Sequence, residues 1–279
     1  MEFKLQLIEL KNKDLKCLSN EDLDFLLDKM VVNIGSVDPE FRDELIYTTF
    51  IRVINEDVLT VKQYQYLLEV CLDDNHLFYK IGEKNTDSVF TRSFSSLVIA
   101  GLLSKDRQLG LLSDKDYKKL FDRSVKYLEN EQDTRGYVEE KGWAHSVAHG
   151  ADLLVSLVRH PKFTEKNCKE VLKTLHNCLY KDATYIDDEE ERLIFVIEAL
   201  MEKKMDYKKI EQWILQILHD LEFIFNNEGF SNKYFRTKFN IANFLKTLYF
   251  RIGFINEKSS LRDLINDSLK ELHQKIYSS

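Results

Sequence analysis

The fold is decided by residues 141–180, KGWAHSVAHGADLLVSLVRHPKFTEKNCKEVLKTLHNCLY, which read as two helices joined by a short polar link. Apolar residues recur every three or four positions on both sides of Pro161, as amphipathic helices require. Pro161 ends the first helix at His160, and Thr164 supplies a cap for the second. This stretch therefore predicts an antiparallel helix pair over residues 141–159 and 164–180.

The whole chain has the composition of an all-helical protein. Only 9 glycines and 2 prolines occur among its 279 residues, too few for the many tight turns of an all-β protein. No stretch has a clear strand pattern, so we expect an all-α fold. Four further helix pairs are predicted, over residues 38–55 with 59–74, 87–104 with 113–131, 187–203 with 207–226, and 234–252 with 260–276.

The predicted helix pairs form a repeat. The first helix of each pair carries one polar residue inside an apolar segment, and these residues recur at roughly 48-residue intervals, an interval typical of HEAT and armadillo repeats. We therefore expect residues 1–279 to form a single repeat domain, a right-handed α-solenoid of antiparallel helix pairs with a concave polar face. A closed α/α toroid has the same local pattern and is the second choice. The recurring residues are Asp43, Arg92, His145, Arg192 and Asn240.

Charge and cysteine usage limit the expected partners and compartment. The formal net charge is −7 and no long run of Lys or Arg occurs, so neither nucleic acid nor an anionic membrane surface is an expected partner. The four cysteines form no C-x-x-C pair, which favours free thiols in a reducing compartment. No apolar stretch approaches the ~18 residues of a membrane span, and the N-terminus lacks the apolar core of a signal peptide. A cytoplasmic protein is expected.

Residues 143–152, WAHSVAHGAD, carry the main candidate site. At about 100° per residue, His145, His149, Asp152 and Ser156 form a narrow polar stripe on a helix that is otherwise apolar. Isolated buried charges are costly, so the stripe has to face a cavity, a groove or a hydrogen-bonded network. One interpretation is structural: Asp152 pairs with a histidine or with an arginine of a neighbouring repeat, and the network sets the register of the helices.

Two functional interpretations of the stripe stay open beside the structural one. In the leading one, the concave face binds a small molecule or a protein segment. Trp143 either covers the groove or packs in the core. A histidine whose pKa is adjusted by Asp152 is a candidate general base. In the alternative, His145, His149 and Asp152 hold zinc or another divalent metal in a hydrolase, although Ser146 stands where the H-E-x-x-H motif has its general base. The residues leave open whether any reaction is catalysed. The expected ligand-binding residues are Arg92, Trp143, His145, His149, Asp152, Arg192 and Asn240.

Three segments resemble a known bacterial family, domain of unknown function 2785. They are GEKNTDSVFTRSFSSL at 82–97, RGYVEEKGWAHSVAHGADLL at 135–154 and NFLKTLYFRI at 243–252, and the middle segment is the most specific. The resemblance extends over nearly the whole chain. It implies an all-helical cytoplasmic bacterial protein in which the histidines and the aspartate of the stripe are a family feature, and it implies no activity.

Overall fold

The computed structural model describes residues 2–255 and 259–277, and within these ranges the chain is mainly helical, as predicted. The described residues also include a 3-10 helix over Leu15–Cys17 and a π-helix over Glu40–Tyr47. The π-helix runs directly into the α-helix that begins at Thr48. The described residues form twelve α-helices: α1 (Glu2–Leu10), α2 (Asn20–Val32), α3 (Thr48–Asn55), α4 (Val61–Cys71), α5 (Ser88–Leu109), α6 (Asp114–Asn130), α7 (Ser146–Arg159), α8 (Glu165–Leu179), α9 (Glu189–Glu202), α10 (Tyr207–Glu228), α11 (Asn232–Ile255) and α12 (Ser260–Tyr277).

Local capping chemistry sets several of the helix starts. The Ser19 and Ser113 side chains each accept a hydrogen bond from the backbone N–H three residues further on, at 3.1 Å in both cases. These contacts satisfy N–H groups that the first turn of a helix leaves unpaired. The start of α9 lies two residues later than the predicted residue Asp187, because Asp188 takes a left-handed conformation (φ 63°) and the helix begins at Glu189.

A short β-hairpin interrupts the region that the sequence assigns to the start of a helix. Strand β1 (Tyr137–Val138) pairs antiparallel with β2 (Gly142–Trp143), and Tyr137 lies opposite Trp143. The prediction that the helix begins near residue 141 is wrong, because Gly142 (φ 75°) and His145 (φ 46°) both have backbone conformations that a right-handed helix excludes. Helix α7 therefore starts at Ser146.

The helices form two compact units, one ending at Phe163 and one beginning at Thr164. In the first unit α3, α5 and α7 pack side by side, which is the neighbour order that the repeat predicts for the first helices of successive pairs. In the second unit α11 packs against α8, α9, α10 and α12. The α-solenoid and the single domain stay predictions. None of the helices in residues 2–255 and 259–277 is both long and apolar enough to cross a membrane.

The core of the first unit lies where α5 and α7 meet. Most side chains of α5 between Ser88 and Leu103 are buried, including polar ones such as Arg92 and Ser93. On α7 the apolar residues that the sequence places around the polar stripe are buried as well. Polar groups in such a core need hydrogen-bond partners, and those partners determine how the residues around the hairpin are positioned.

Candidate functional site

The hairpin is fixed to the helices by Arg42, a residue of the π-helix whose side chain has no solvent exposure. Its Nη2 donates to the carbonyl oxygens of Lys141 at 2.9 Å and Trp143 at 3.5 Å, and its Nη1 donates to the carbonyl of Ser36 at 2.8 Å. These bonds satisfy the buried guanidinium and the backbone of the second strand at the same time. The position of Trp143 therefore depends on Arg42.

Charge and ring contacts hold Arg42 in place. Its Nε lies 2.7 Å from Oδ1 of Asp43, and its guanidinium carbon lies 4.2 Å and 4.7 Å from the ring centroids of Phe90 and Phe94 on α5. The stacked arrangement suits the planar guanidinium, which lysine could not replace. Burial raises the pKa of Asp43 above its ordinary value, and the neighbouring Arg42 charge opposes that shift.

Six rings form a continuous row from the π-helix to the hairpin, which we call the ring row. His149 lies at its centre, with its ring edge-on to Phe94 at 5.3 Å and to His145 at 5.7 Å between centroids. His145 stacks on Trp143 at 4.4 Å. Edge-on and offset contacts at these distances are favourable between aromatic side chains. In order along the row, the members are Tyr47, Phe94, His149, His145, Trp143 and Tyr137.

A buried serine orients the central histidine. Ser93 on α5 has no solvent exposure, and its Oγ lies 2.7 Å from Nδ1 of His149. The same hydroxyl donates to the carbonyl of Ala144, just before α7. His149 is 8% exposed, so its ring belongs to the core more than to the surface. This arrangement links α5, the end of the hairpin and α7, and it serves to position the ring row.

Unusual backbone conformations cluster around the hairpin. Two residues here other than glycine have left-handed backbone conformations. His145 at the N-cap of α7 has φ 46° and ψ 38°, and Glu140 at the hairpin turn has φ 61°. The neighbouring Arg42 and Asp43 lie on a π-helix. Such conformations cost free energy and are found preferentially at functional sites. Their concentration here makes the hairpin the main candidate for a site.

The outer surface of the hairpin carries exposed rings and carboxylates. Tyr137 is 51% exposed and Trp143 is 42% exposed. Glu139 and Glu140 at the turn are exposed and form no ion pair among the residues that the structure describes. Together with the half-buried His145 they form what we call the hairpin face, defined by Tyr137, Glu139, Glu140, Trp143 and His145. At this exposure Trp143 does not pack in the core, and its role as a cover over a groove stays a prediction.

Arg92, one of the sequence-predicted binding residues, is used inside the first unit. Its Nε and Nη2 donate to the two carboxylate oxygens of Glu131 at 2.6 and 2.8 Å, and both side chains have no solvent exposure. Nη1 donates to Ser88 Oγ at 2.8 Å and to the Tyr79 carbonyl at 2.9 Å. This two-oxygen geometry is the strongest form of the arginine–carboxylate pair. Arg92 thus takes part in a buried ion pair within one predicted helix pair, and its role in ligand binding stays a prediction.

The remaining predicted residues divide between the two units. Asp152 is half-buried on α7, three residues after His149 and therefore on the same side of that helix. Arg192 is half-buried on α9 in the second unit. Asn240 on α11 is buried and holds the loop before α9, because it accepts from Tyr185 N–H at 3.0 Å and donates to the Ala183 carbonyl at 2.9 Å. The structure thus brings together Trp143, His145 and His149.

The metal interpretation finds no support in the geometry. Among residues 2–255 and 259–277, no group of three or more His, Cys, Asp or Glu side chains is arranged to hold a metal ion. The interpretation assumes that His145 and His149 project from one helix, one turn apart. His145 instead precedes α7 with a left-handed backbone and stacks on Trp143.

Sequence reasoning missed four residues that build the site: Arg42, Ser93, Phe94 and Tyr137. For Tyr137 a signal is present, since GYVEEKGW places an aromatic residue directly after each of two glycines, six positions apart, a pattern typical of a short hairpin. For Arg42, Ser93 and Phe94 no local signal exists. They contact the hairpin or α7 only through tertiary packing, across separations of 51 to 101 residues for the hydrogen bonds of Ser93 and Arg42.

Comparison with known proteins identifies a family. The family described as "Protein of unknown function (DUF2785)" matches residues 77–250, more than half of the chain. The chain therefore belongs to the DUF2785 family, as the resemblance in sequence predicts. The matched range contains the hairpin, α5 and α7. No curated protein and no solved structure has significant similarity to the chain.

Proposed function

We propose that this member of the DUF2785 family is a binding module that captures a basic segment of a partner protein on the hairpin face. The observation that carries the proposal is the exposure of Tyr137 (51%) and Trp143 (42%) on a hairpin that the buried Arg42 holds to the helices. Large aromatic side chains at a surface contribute much of the free energy of binding, because they bury a large area and lose few rotamers.

The charge of the hairpin face favours a basic occupant. Glu139 and Glu140 form no ion pair within the described residues, so their charges are available to a partner. A lysine or arginine side chain could contact these carboxylates and lie against the rings of Trp143 and Tyr137, as in other cation–π contacts. Opposite charges on the two surfaces would also speed their association.

The rigidity of the hairpin face lowers the cost of binding. His145 stacks on Trp143, and His149 contacts His145 while Ser93 holds His149. Side chains that are already ordered lose little entropy when a partner binds. In this proposal His149 and Ser93 are positioning residues, whereas Trp143, Tyr137 and the two glutamates contact the segment.

Calorimetric titration with two peptides of equal length tests the proposal. One peptide is rich in lysine and arginine, and the other carries aspartate and glutamate at the same positions. We expect the full chain to bind the basic peptide and not the acidic one. Trp143→Ala should weaken binding by at least about tenfold, the loss typical of an aromatic hot spot. Phe223→Ala is the matched control, because Phe223 is also an exposed ring, 65% accessible, and lies on α10 outside the hairpin face.

The two glutamates provide an independent arm of the same test. The double change Glu139→Gln and Glu140→Gln should weaken binding of the basic peptide and reduce its dependence on salt. Glu21→Gln, at an exposed position on α2, should change neither quantity. Equal affinity of the wild-type chain and Trp143→Ala would overturn the proposal, as would an absence of binding by the basic peptide.

A further inference from the structure

The second unit contains a groove of about 630 Å³ between α11 and α12. Its floor is apolar, and its rims carry polar and basic side chains from both helices. Its volume falls in the range of sites that bind small organic molecules. The described residues that line it are Lys238, Ala242, Lys246, Asn266, Leu269, Lys270, Leu272, His273, Gln274 and Tyr277.

The charges of this groove have one sign. Lys238, Lys246 and Lys270 line it, whereas no aspartate or glutamate is among the described lining residues. The chain as a whole has 47 acidic and 40 basic residues, so a site with three lysines and no carboxylate runs against the overall balance. None of the three lysines forms an ion pair with another described residue.

The lysines of another groove are arranged differently. A groove of the same volume lies between α8 and α10 in the same unit, and there Lys209 forms a salt bridge with Glu165, which also lines that groove. Lysines on a protein surface commonly find such a carboxylate. In the α11–α12 groove no described lining residue is a carboxylate, so the charges of Lys238, Lys246 and Lys270 are left uncompensated, which is the arrangement expected where a ligand supplies the negative charge.

The position of Lys238 strengthens this point. Its side chain is half-buried, and its Nζ lies 5.8 Å from the centroid of the Tyr277 ring. Burial and the charge of Lys246 both lower the pKa of Lys238. A lysine that is partly desolvated beside a second lysine is an unfavourable arrangement for folding alone, because like charges repel and neither is neutralised.

We propose that the α11–α12 groove binds a small polyanion, a ligand with at least two phosphate or carboxylate groups. The Lys238, Lys246 and Lys270 ammonium groups would contact its negative groups, and the Asn266 and Gln274 amides would add hydrogen bonds. Lysine acts as a point charge toward phosphate and carboxylate oxygens. The rings of His273 and Tyr277, edge-on at 4.9 Å, offer a surface for an apolar part of the ligand.

Calorimetric titration of the full chain with tripolyphosphate and with citrate tests the groove and distinguishes phosphate from carboxylate ligands. We expect at least one probe to bind, with an affinity that falls as salt is added. Lys238→Gln and Lys270→Gln should each weaken binding by about tenfold, the size of a lost charge-assisted contact. Lys208→Gln is the matched control: this lysine is exposed on α10 in the same unit and does not line the groove.

Thermal unfolding of the free variants separates a ligand site from a structural cluster. If the lysines serve a ligand, Lys238→Gln should leave the melting temperature of the free protein unchanged or raise it, because a like-charge contact is removed. A clear fall in that melting temperature would overturn the proposal. It would also be overturned if neither probe bound, or if Lys208→Gln weakened binding as much as Lys238→Gln did.

Discussion

The Ser93 hydroxyl lies 2.7 Å from Nδ1 of His149 and donates its own hydrogen to the carbonyl of Ala144. A hydroxyl has one hydrogen to give, so Nδ1 of His149 has to be the donor in their contact. This determines which ring nitrogen of His149 carries the proton and fixes the plane of the imidazole that meets His145. The buried Ser93–His149 contact thereby helps to position His145, on which Trp143 stacks.

Ser93→Ala should lower the free energy of unfolding by about 1–3 kcal/mol, because it leaves two buried polar groups, His149 Nδ1–H and the Ala144 carbonyl, without their partner. Urea denaturation measures the loss. Ser95→Ala is the matched control, since Ser95 is also buried on α5 but donates only to the Thr91 carbonyl one turn earlier. That carbonyl already accepts a helical hydrogen bond, so the control should lose less. Equal losses in both variants would contradict the role given to Ser93.

The buried pair of Arg92 and Glu131 should be among the most sensitive positions of the first unit. Glu131→Gln removes the negative charge that compensates Arg92, and breaking a buried pair in this way costs about 3–5 kcal/mol. Chemical denaturation should show this loss as a lower midpoint. The control is Asp122→Asn, which breaks the exposed contact of Asp122 with Lys118 at 2.6 Å on α6 and should cost less than about 1 kcal/mol. A similar small cost for Glu131→Gln would show that Arg92 is compensated elsewhere.

The helices could be predicted from sequence because their signals are local. Apolar periodicity and capping residues such as Ser19 and Ser113 act within one or two turns, and most predicted helix boundaries, such as 113–131 for α6 (Asp114–Asn130), agree closely with the structure. The hairpin shows no strand periodicity, since strands of two residues are too short to alternate, and its one signal is the glycine and aromatic pattern of GYVEEKGW. Without the hairpin, the sequence places His145 inside a helix. The predicted polar stripe therefore includes His145, which in the structure precedes α7.

The candidate site was predictable only in part. His145, His149 and Trp143 are close in sequence and their rings contact each other in the structure, whereas their role in binding stays a prediction. The direction of Arg92 depends on Glu131, which is 39 residues away, and no local pattern reveals it. For the same reason, the sequence leaves a binding role for Arg92 and an ion pair as equal alternatives.

Gly142 is a position where an added methyl group should be harmful for two separate reasons. Its φ of 75° is unfavourable for alanine, and a Cβ there would lie 2.9 Å from Cβ of Pro39 and 3.3 Å from Nη2 of Arg42. Gly142→Ala should therefore lower the melting temperature and change the near-ultraviolet circular dichroism of the Trp143 ring. Gly110→Ala has the same backbone strain (φ 65°) but open space around it, so it should cost only about 1 kcal/mol. If Gly142→Ala lowered the stability no more than Gly110→Ala, the close approach of Arg42 would contribute nothing to the loss.

Glu189, the first residue of α9, is 1% exposed, and its Oε2 accepts a hydrogen bond from Asp187 N–H at 3.1 Å. No partner is found for Oε1 within the described residues. Burial raises the pKa of Glu189 from 4.5 to about 7, because the charged form loses its solvation. The native state therefore keeps this proton over a pH range in which the unfolded chain releases it.

Glu189 therefore contributes stability at low pH that is lost as the pH rises from about 4.5 to about 7, since at this group the native state binds more protons than the unfolded state over that range. The contribution lost is on the order of 3 kcal/mol, because one pKa unit corresponds to about 1.4 kcal/mol. Glu189→Gln has no proton to lose, so its free energy of unfolding should decline less with rising pH than that of the wild type. Urea denaturation across this pH range measures the difference, with exposed Glu21→Gln as the control. If Glu189→Gln and the wild type had parallel pH profiles, Glu189 would have to be charged in the native state, and the carboxylate would need a partner that neutralises it.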